Sequence, residues 1–228
     1  MTRKFLIVTA LVAGVAATAE AQLCAGTASF GAGSIRADAG AQFRDGANAF
    51  GGGLAWGQPD GLFLAGNVGR TSYDGVDETE MSYGINAGYQ LQFTNVPSLH
   101  FCPSLGLQMR SGPNVGTAEE SGMDWSIGGS VGGVMKNNGS MQFVPTAGFH
   151  YVSVRQESTV GTTTTEFKDR AGILSLGLGV IFNEAITVTP NLRMAIDYED
   201  ADPVYGVGLS WNFGGSKGVR QQGRPRKR

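Results

Sequence analysis

Residues 185–198 have the sequence AITVTPNLRMAIDY, in which apolar and polar residues alternate along nearly the whole segment. The apolar positions are Ile186, Val188, Pro190, Leu192, Met194, Ile196 and Tyr198. The positions between them are Thr187, Thr189, Asn191, Arg193, Ala195 and Asp197. Because successive side chains point to opposite faces of a β-strand, this period of two predicts a strand with one apolar and one polar face.

The same alternation recurs along the chain in segments about as long as the strands that cross a membrane, ~9–11 residues or somewhat more. The segments that carry it are 27–35, 48–56, 61–72, 80–93, 99–110, 123–135, 141–154, 167–182, 185–198 and 204–213. They predict an all-β fold, an antiparallel up-and-down transmembrane β-barrel with ten strands and a polar interior. Eight strands is the alternative, because alanine and glycine blur the alternation in the first two segments.

The connections between these segments alternate in length. The short connections are 58–60, 94–98, 136–140 and 183–184, and the mostly longer ones are 36–47, 73–79, 111–122, 155–166 and 199–203. Short periplasmic turns and longer outer loops are typical of bacterial outer-membrane barrels. The alternation therefore predicts that both termini lie on the periplasmic side.

Aromatic residues lie near both ends of the apolar face of the predicted strands. At the short-turn end they are Trp56, Phe93, Phe101, Phe143, Phe182, Trp211 and Phe213, and at the other end they are Tyr83, Trp125, Tyr151, Tyr198 and Tyr205. Aliphatic residues such as Ile85, Leu105 and Leu209 lie between them. Two aromatic girdles around an aliphatic band predict a face in contact with lipid. A soluble β-barrel, the alternative, would need a polar outer face, whereas the opposite face here is rich in glycine and serine.

The two ends of the chain differ from the segment between them. Arg3 and Lys4 precede an apolar stretch at 5–17, and a small-x-small cleavage site follows at 19–21. This is the pattern of a secretory signal peptide. The predicted division of the chain is a signal peptide at 1–21, a barrel at 22–214, and a basic, disordered periplasmic tail at 215–228.

The overall composition excludes several other classes of protein. No apolar run reaches the ~18 residues of a transmembrane helix. The 36 glycines have no three-residue period, which excludes collagen. β-Branched and aromatic residues are too frequent and too regularly placed for a disordered chain.

The last predicted strand, VYGVGLSWNF, carries a glycine and two aromatic residues in a fixed order. Gly208, Trp211 and Phe213 resemble the signal that the barrel-assembly machinery reads, although Gly206 stands where that signal usually has a polar residue and Phe213 is not the last residue of the chain. The chain resembles the small outer-membrane barrels of the OmpA/OmpX-like group, over about residues 25–214. The resemblance implies insertion into the cell outer membrane of a Gram-negative envelope, as a monomer. Its implied partners are outer-membrane lipid, lipopolysaccharide and the assembly machinery.

The two cysteines favour a disulfide. Cys24 precedes the first predicted strand, and Cys102 lies near the periplasmic start of the fifth, on the inward parity. An even cysteine count in an exported protein favours pairing, although two unpaired thiols are the alternative. A bridge would tie the N-terminal segment into the base of the barrel and partly plug it.

Charged residues on the inward parity are the candidate lumen site. Arg110, Arg193 and Asp197 are interpreted as a charge network that stiffens the barrel or lines a narrow pore. The histidines are His100 and His150, and a hydrogen bond within the lumen is the expected role of both. No catalytic residue, metal site or cofactor motif is assigned, so the sequence does not predict an enzyme.

Acidic residues favour a surface role. Without the leader and the tail, 9 basic and 18 acidic residues remain, and many of the acids lie in or beside the predicted outer loops. The expected function is a structural or surface-interaction role through acidic extracellular loops. A narrow passive channel for small solutes is the alternative, and a hydrolase at the outer rim is less favoured. Nucleic acid is not an expected partner of an exported protein.

Overall fold

The fold is known from a computed structural model, which describes residues 24, 27, 34–58, 61–96, 98–113, 118–136, 141–182, 185–197 and 201–213. These residues form ten strands: β1 Ser34–Arg44, β2 Ala47–Gly57, β3 Leu62–Tyr73, β4 Thr79–Tyr89 with its continuation Leu91–Gln92, β5 Leu99–Ser111, β6 Ala118–Gly133 with its continuation Met135–Lys136, β7 Met141–Val160, β8 Thr163–Phe182, β9 Ile186–Ala195 and β10 Val204–Phe213. The predicted signal peptide and the predicted basic tail lie outside the described residues.

Each strand pairs antiparallel with its neighbours in the sequence, and β1 pairs with β10 to close the sheet. At the closing seam, Ala39 lies opposite Leu209 and Phe43 lies opposite Tyr205. The fold class, an antiparallel β-barrel with ten strands among the described residues, is therefore confirmed. Within the part of the chain that is described, no helix is long and apolar enough to cross a membrane.

The first strand is not where the sequence analysis placed it. It was expected at 27–35, followed by a long loop at 36–47, but β1 runs over Ser34–Arg44 and a tight turn at Asp45-Gly46 leads into β2. Gly46 has a φ of 71°, a left-handed conformation that glycine adopts without strain. The segment resembles a loop because its outward positions include alanines, while Arg36 and Asp38 pair with each other inside the barrel.

The outer ends of the strands also differ from the prediction. Residues 118–122 and 155–166 were expected in loops, but β6 begins at Ala118, and β7 and β8 continue to a two-residue turn at 161–162. Apart from Val160, the large residues of these extensions are polar on both faces, so the extensions lack the alternation that marks a strand beside lipid. β9, by contrast, ends at Ala195, three residues before the predicted end.

Small residues allow polar side chains to fill the narrow interior. A side chain at Gly106 would collide with Asn86 and Ser126, which occupy the space beside it. The interior is not polar throughout, because Val152, Val154, Ala171, Ile173, Ala195 and Val204 form a buried apolar cluster toward the outer end. The residues that face the lumen are therefore a mixture of polar and apolar side chains.

Candidate functional site in the barrel lumen

A buried charge cluster lies in the outer part of the lumen. The Arg110 guanidinium donates two hydrogen bonds to the Asp124 carboxylate, at 2.9 and 3.0 Å, and a third to Glu80 Oε2 at 3.3 Å. The Tyr73 hydroxyl donates to the same Glu80 oxygen at 3.3 Å. Arg110, Glu80 and Asp124 are each 4% exposed. A fork-shaped pair of hydrogen bonds from arginine to a carboxylate is both strong and specific in its geometry.

The register of the strands explains how these residues meet. Glu80, Arg110 and Asp124 lie on consecutive strands, β4, β5 and β6, at inward positions near the outer ends. Arg110 pairs in register with Ser82 on one side and with Gly122 on the other, which places both carboxylates two residues away along the strand. One carboxylate lies further out and the other further in, so the cluster, which we call the outer charge cluster (Glu80, Arg110 and Asp124), joins three neighbouring strands.

A second group of contacts fills the opposite end of the lumen, which the sequence predicts to be the periplasmic end. Cys24 is joined to Cys102 by a disulfide, with the Cα atoms 5.9 Å apart. Arg36 donates to Asp38 Oδ1 at 2.7 Å and, through its other nitrogen, to the Thr27 hydroxyl at 2.6 Å. Cys24, Thr27 and Arg36 are buried. These described residues of the N-terminal segment therefore lie inside the base of the barrel.

A polar cavity of about 130 Å³ separates these two groups. Its lining includes Ser104, Ser130, Ser175, Thr146, Thr189, Asn191, His150 and Arg193. Ser104 Oγ lies 3.0 Å from His150 Nε2, so the two side chains share a hydrogen bond. Nearer the periplasmic end, Gln90 and His100 are joined at 2.9 Å. A cavity of this size and polarity has room for several water molecules.

The outward face of the barrel is apolar. Large side chains on the outward parity are exposed, among them Leu105 at 62%, Ile85 at 59% and Leu209 at 52%. Trp56, Phe182, Trp211 and Phe213 are exposed at the periplasmic end, and Tyr83, Trp125 and Tyr205 at the outer end. A belt of exposed aliphatic side chains between two aromatic girdles has no place on a water-soluble barrel. The protein is a transmembrane barrel of the outer-membrane type.

Solved structures that resemble this outer-membrane barrel include three bacterial proteins. The N-terminal β-barrel domain of OprF from Pseudomonas aeruginosa is 16% identical with a TM-score of 0.40, over 81% of this chain and 100% of that one. The β domain of the Bordetella autotransporter Brka is 13% identical with a TM-score of 0.46, over 80% of this chain and 100% of that domain. Ail, the attachment invasion locus protein of Yersinia pestis, is 13% identical with a TM-score of 0.39, over 80% of this chain and 100% of Ail.

These similarities concern the barrel fold. No protein-family model matches the chain, and no curated protein matches its sequence.

The structure places the predicted lumen residues in different surroundings. Arg110 belongs to the outer charge cluster, whereas His150 and Arg193 line the central cavity. Asp197 is not a lumen residue. It lies beyond the end of β9, is exposed, and accepts a hydrogen bond from the Gly172 backbone N–H at 2.6 Å. The inward parity does not continue to Asp197 because the strand ends at Ala195.

Three acidic residues of the lumen were not identified from the sequence. Asp124, at the start of the predicted strand 123–135, was counted among the acids in or beside the outer loops, Glu80 received no role, and Asp38 was placed in a loop. All three share the inward parity of an arginine that lies on the same or the adjacent strand, namely Arg110 or Arg36. Matching acids to arginines across neighbouring predicted strands would have found Glu80 and Asp124, whereas Asp38 and Arg36 both fell in the predicted loop 36–47.

The assembly-signal residues lie on β10 with the predicted alternation. Trp211 and Phe213 face outward, and their rings stack with centroids 5.2 Å apart. Gly208 faces inward, where it lies among the residues that line the central cavity. The aromatic pair therefore belongs to the periplasmic girdle of the barrel.

Strands β6, β7 and β8 continue beyond the rest of the barrel as a small three-stranded sheet. We call it the outer sheet, defined as residues 118–122, 153–160 and 163–171. Along its β8 edge, the pairing with β9 ends where the Ile196 N–H donates to the Gly172 carbonyl. Beyond that point, no described strand pairs with the free side of β8.

Proposed function

We propose that this outer-membrane barrel acts at the cell surface, through the outer sheet, as a closed scaffold that presents a binding edge. The observation that supports a closed scaffold is the filling of the lumen at both ends. The outer charge cluster crosses three strands at one end, and the Cys24–Cys102 disulfide with Arg36 occupies the other. The cavity between them, about 130 Å³, is small for a route through a barrel.

The outer sheet has the features of a strand-pairing surface. On the free side of β8, the backbone groups of Thr164, Glu166 and Lys168 meet no described strand, so an added strand would find unused donors and acceptors there. A sheet edge of this kind binds an extended polypeptide through main-chain hydrogen bonds. Phe167 and Val160 are exposed at 44% and 51% and supply apolar contact nearby. The partner class that fits is an extended segment of a surface protein.

Acidic residues lie on other parts of the outer rim. Asp74, Asp77 and Glu78 lie in the connection between β3 and β4 and are exposed. Glu119 is exposed on β6 at the other edge of the outer sheet. These acids would attract a basic partner to the outer rim as a whole, which accelerates association more than it strengthens binding.

The test compares adhesion by cells that display the full-length protein or a shortened variant. Deleting residues 157–160 and 163–166 removes four residue pairs from the β7–β8 hairpin and keeps its turn and its register. We expect this variant to bind a cultured epithelial monolayer no better than cells without the protein. Asp45→Asn, in the β1–β2 turn, is the matched control and should adhere as the wild type does. Equal adhesion by the wild type and the shortened variant would overturn the proposal.

A narrow passive channel is the second candidate, because the central cavity is lined by hydroxyl, amide and imidazole groups. Conductance in planar bilayers separates the two functions. A closed scaffold should show no steady current above the bare bilayer, whereas a channel should show discrete, voltage-independent openings. Steady openings by the wild-type protein would favour the channel.

A further inference from the structure

Cationic side chains are grouped on the outward face of the barrel where the outer sheet begins. In the register of β7 and β8, Arg155 lies opposite Lys168, and Ser153 lies opposite Arg170. Arg155, Lys168 and Arg170 are exposed. These three residues share the outward parity with Phe149 and Leu174 below them, so they face the surroundings of the barrel and not its lumen. We call them the cationic row.

The cationic row begins at the level of the aromatic girdle and continues outward from it. Trp125 and Tyr151 are in contact on the outward face, with ring centroids 5.8 Å apart. Trp125 pairs with Ser153, which in turn pairs with Arg170, so Arg170 lies at the height of the indole. Arg155 and Lys168 follow two residues further out, about 7 Å along the strands. Aromatic girdles mark the boundary between hydrocarbon and headgroups, so the cationic row lies at the height of the outer-leaflet headgroups.

The present partners of the cationic row are exposed carboxylates. Arg155 pairs with Glu157 at 2.9 Å and with Glu166 at 2.6 Å, and Lys168 pairs with Glu166 at 3.0 Å. These ion pairs lie in solvent, with side chains 36–70% exposed. Exposed ion pairs contribute little free energy, so a stronger anionic ligand readily replaces them. Three cations therefore meet at this part of the outward face, and Glu157 and Glu166 are the carboxylates that pair with Arg155 and Lys168.

We propose that the cationic row binds the phosphate groups of the glycolipid of the outer leaflet, lipopolysaccharide. The position of the row identifies this lipid, because its phosphates lie at the membrane surface on the side of the barrel away from the start of β1 and the end of β10. Arginine suits the role, since its planar guanidinium binds a phosphate through two parallel hydrogen bonds. The lipid chains would lie against the apolar surface below, which includes Phe149 and Leu176, 47% and 43% exposed.

Another outward cation provides a matched control. Arg70 lies on the outward face of β3 near its outer end and is exposed. It pairs in register with Phe50 and Met81, so its neighbours on the adjacent strands are apolar. Arg70→Gln removes one positive charge from a comparable outward position and leaves the cationic row intact. The triple variant Arg155→Gln, Lys168→Gln, Arg170→Gln removes the row itself.

The experiment measures binding of bis-phosphorylated lipid A, dephosphorylated lipid A and inorganic phosphate to the barrel refolded in detergent. We expect the triple variant to bind bis-phosphorylated lipid A about tenfold or more weakly than the wild type, and Arg70→Gln to bind within about twofold. Wild-type binding should weaken by a similar factor when the lipid lacks its phosphates. Heat-modifiable migration on gels establishes that each variant is a folded barrel.

A charge-conserving variant keeps the proposal falsifiable if the triple variant fails to fold. Arg155→Lys with Arg170→Lys keeps the positive charge and should retain most of the affinity, whereas Arg155→Gln with Arg170→Gln should lose much of it. Equal affinity of these two variants, or equal affinity of the wild type for both forms of lipid A, would overturn the proposal. Displacement of lipid A by millimolar inorganic phosphate would also overturn it, because the site would then recognise the free anion. The adhesion test of the outer sheet is independent of these results.

Discussion

The guanidinium of Arg110 and the carboxylate of Asp124 face each other across β5 and β6 inside the barrel, joined by two hydrogen bonds of 2.9 and 3.0 Å. Both side chains are almost fully buried. Two ions withdrawn from water in this way are held by their mutual attraction and by the third contact to Glu80. The pair therefore fixes three neighbouring strands relative to one another at the outer end of the lumen.

Replacing Arg110 should destabilise the barrel strongly. Arg110→Met removes the cation and leaves two carboxylates buried near each other, which is expected to cost about 3–5 kcal/mol in the free energy of unfolding. The measurement is reversible urea unfolding in detergent micelles, followed by tryptophan fluorescence. Glu157→Gln, which breaks an exposed ion pair of the outer sheet, is the control and should change stability by less than about 1 kcal/mol. Similar losses in both variants would contradict the role given to Arg110.

Removing the disulfide should make unfolding easier and insensitive to reductant. The bridge joins residues separated by 78 positions, so it restricts the unfolded chain over a long loop. Cys24→Ser with Cys102→Ser is expected to lose about 2–4 kcal/mol of stability. Urea unfolding should be measured for both proteins with and without dithiothreitol. Only the wild type should lose stability when the reductant is added. A thiol reagent that labels the unreduced, denatured wild type would show that the bridge is absent.

The strand pattern was predictable wherever large apolar residues alternate with polar ones beside lipid. β10 and the periplasmic part of β8 were placed correctly for this reason, because lipid selects large apolar residues at every second position. β1 was misplaced because its outward positions Ala37, Ala39 and Ala41 are small, so their burial preference is weak. Beyond the membrane, water contacts both faces of a strand, and polar residues such as those of 163–166 carry no period of two.

The sequence predicted which residues face the lumen, but it did not predict which of their side chains contact each other. Arg110 was correctly placed inside, yet its partners Glu80 and Asp124 were not identified, because pairing depends on the register between strands. A shift of register by two residues leaves every parity unchanged and alters every contact. Asp197 was misplaced for a related reason, since parity does not reveal where a strand ends.

Adjacent residues on β10 should differ in their contact with lipid. Leu209 is 52% exposed on the outward face, whereas Ser210 is 7% exposed and lines the cavity. In a variant without the native cysteines, a fluorophore on Leu209→Cys should be quenched by brominated lipid chains, and one on Ser210→Cys should be quenched far less. The measurement uses barrels refolded into vesicles that contain brominated phospholipid. Equal quenching at both positions would contradict the assignment of the outward face to lipid.

The outer sheet should respond to acid through Glu166. The hydrogen bond from Lys168, together with the charges of Arg155 and Lys168, lowers the pKa of the Glu166 carboxyl below its ordinary value of 4.5. A carboxyl whose pKa is lower in the folded state stabilises that state above its ordinary pKa. The contribution is lost as the pH falls through the lowered value. Carboxyl NMR should therefore give Glu166 a titration midpoint below 4.5.

The substitution Lys168→Met tests the cause of this shift. Without the ammonium group, the Glu166 midpoint should move up toward its ordinary value, because the largest contribution is removed and only Arg155 remains at 2.6 Å. Hydrogen exchange along 163–166 should then become faster at neutral pH than in the wild type. Arg70→Gln, on the distant β3 strand, should leave the midpoint unchanged. An unchanged midpoint in Lys168→Met would mean that the 3.0 Å contact between Lys168 and Glu166 is not maintained in solution.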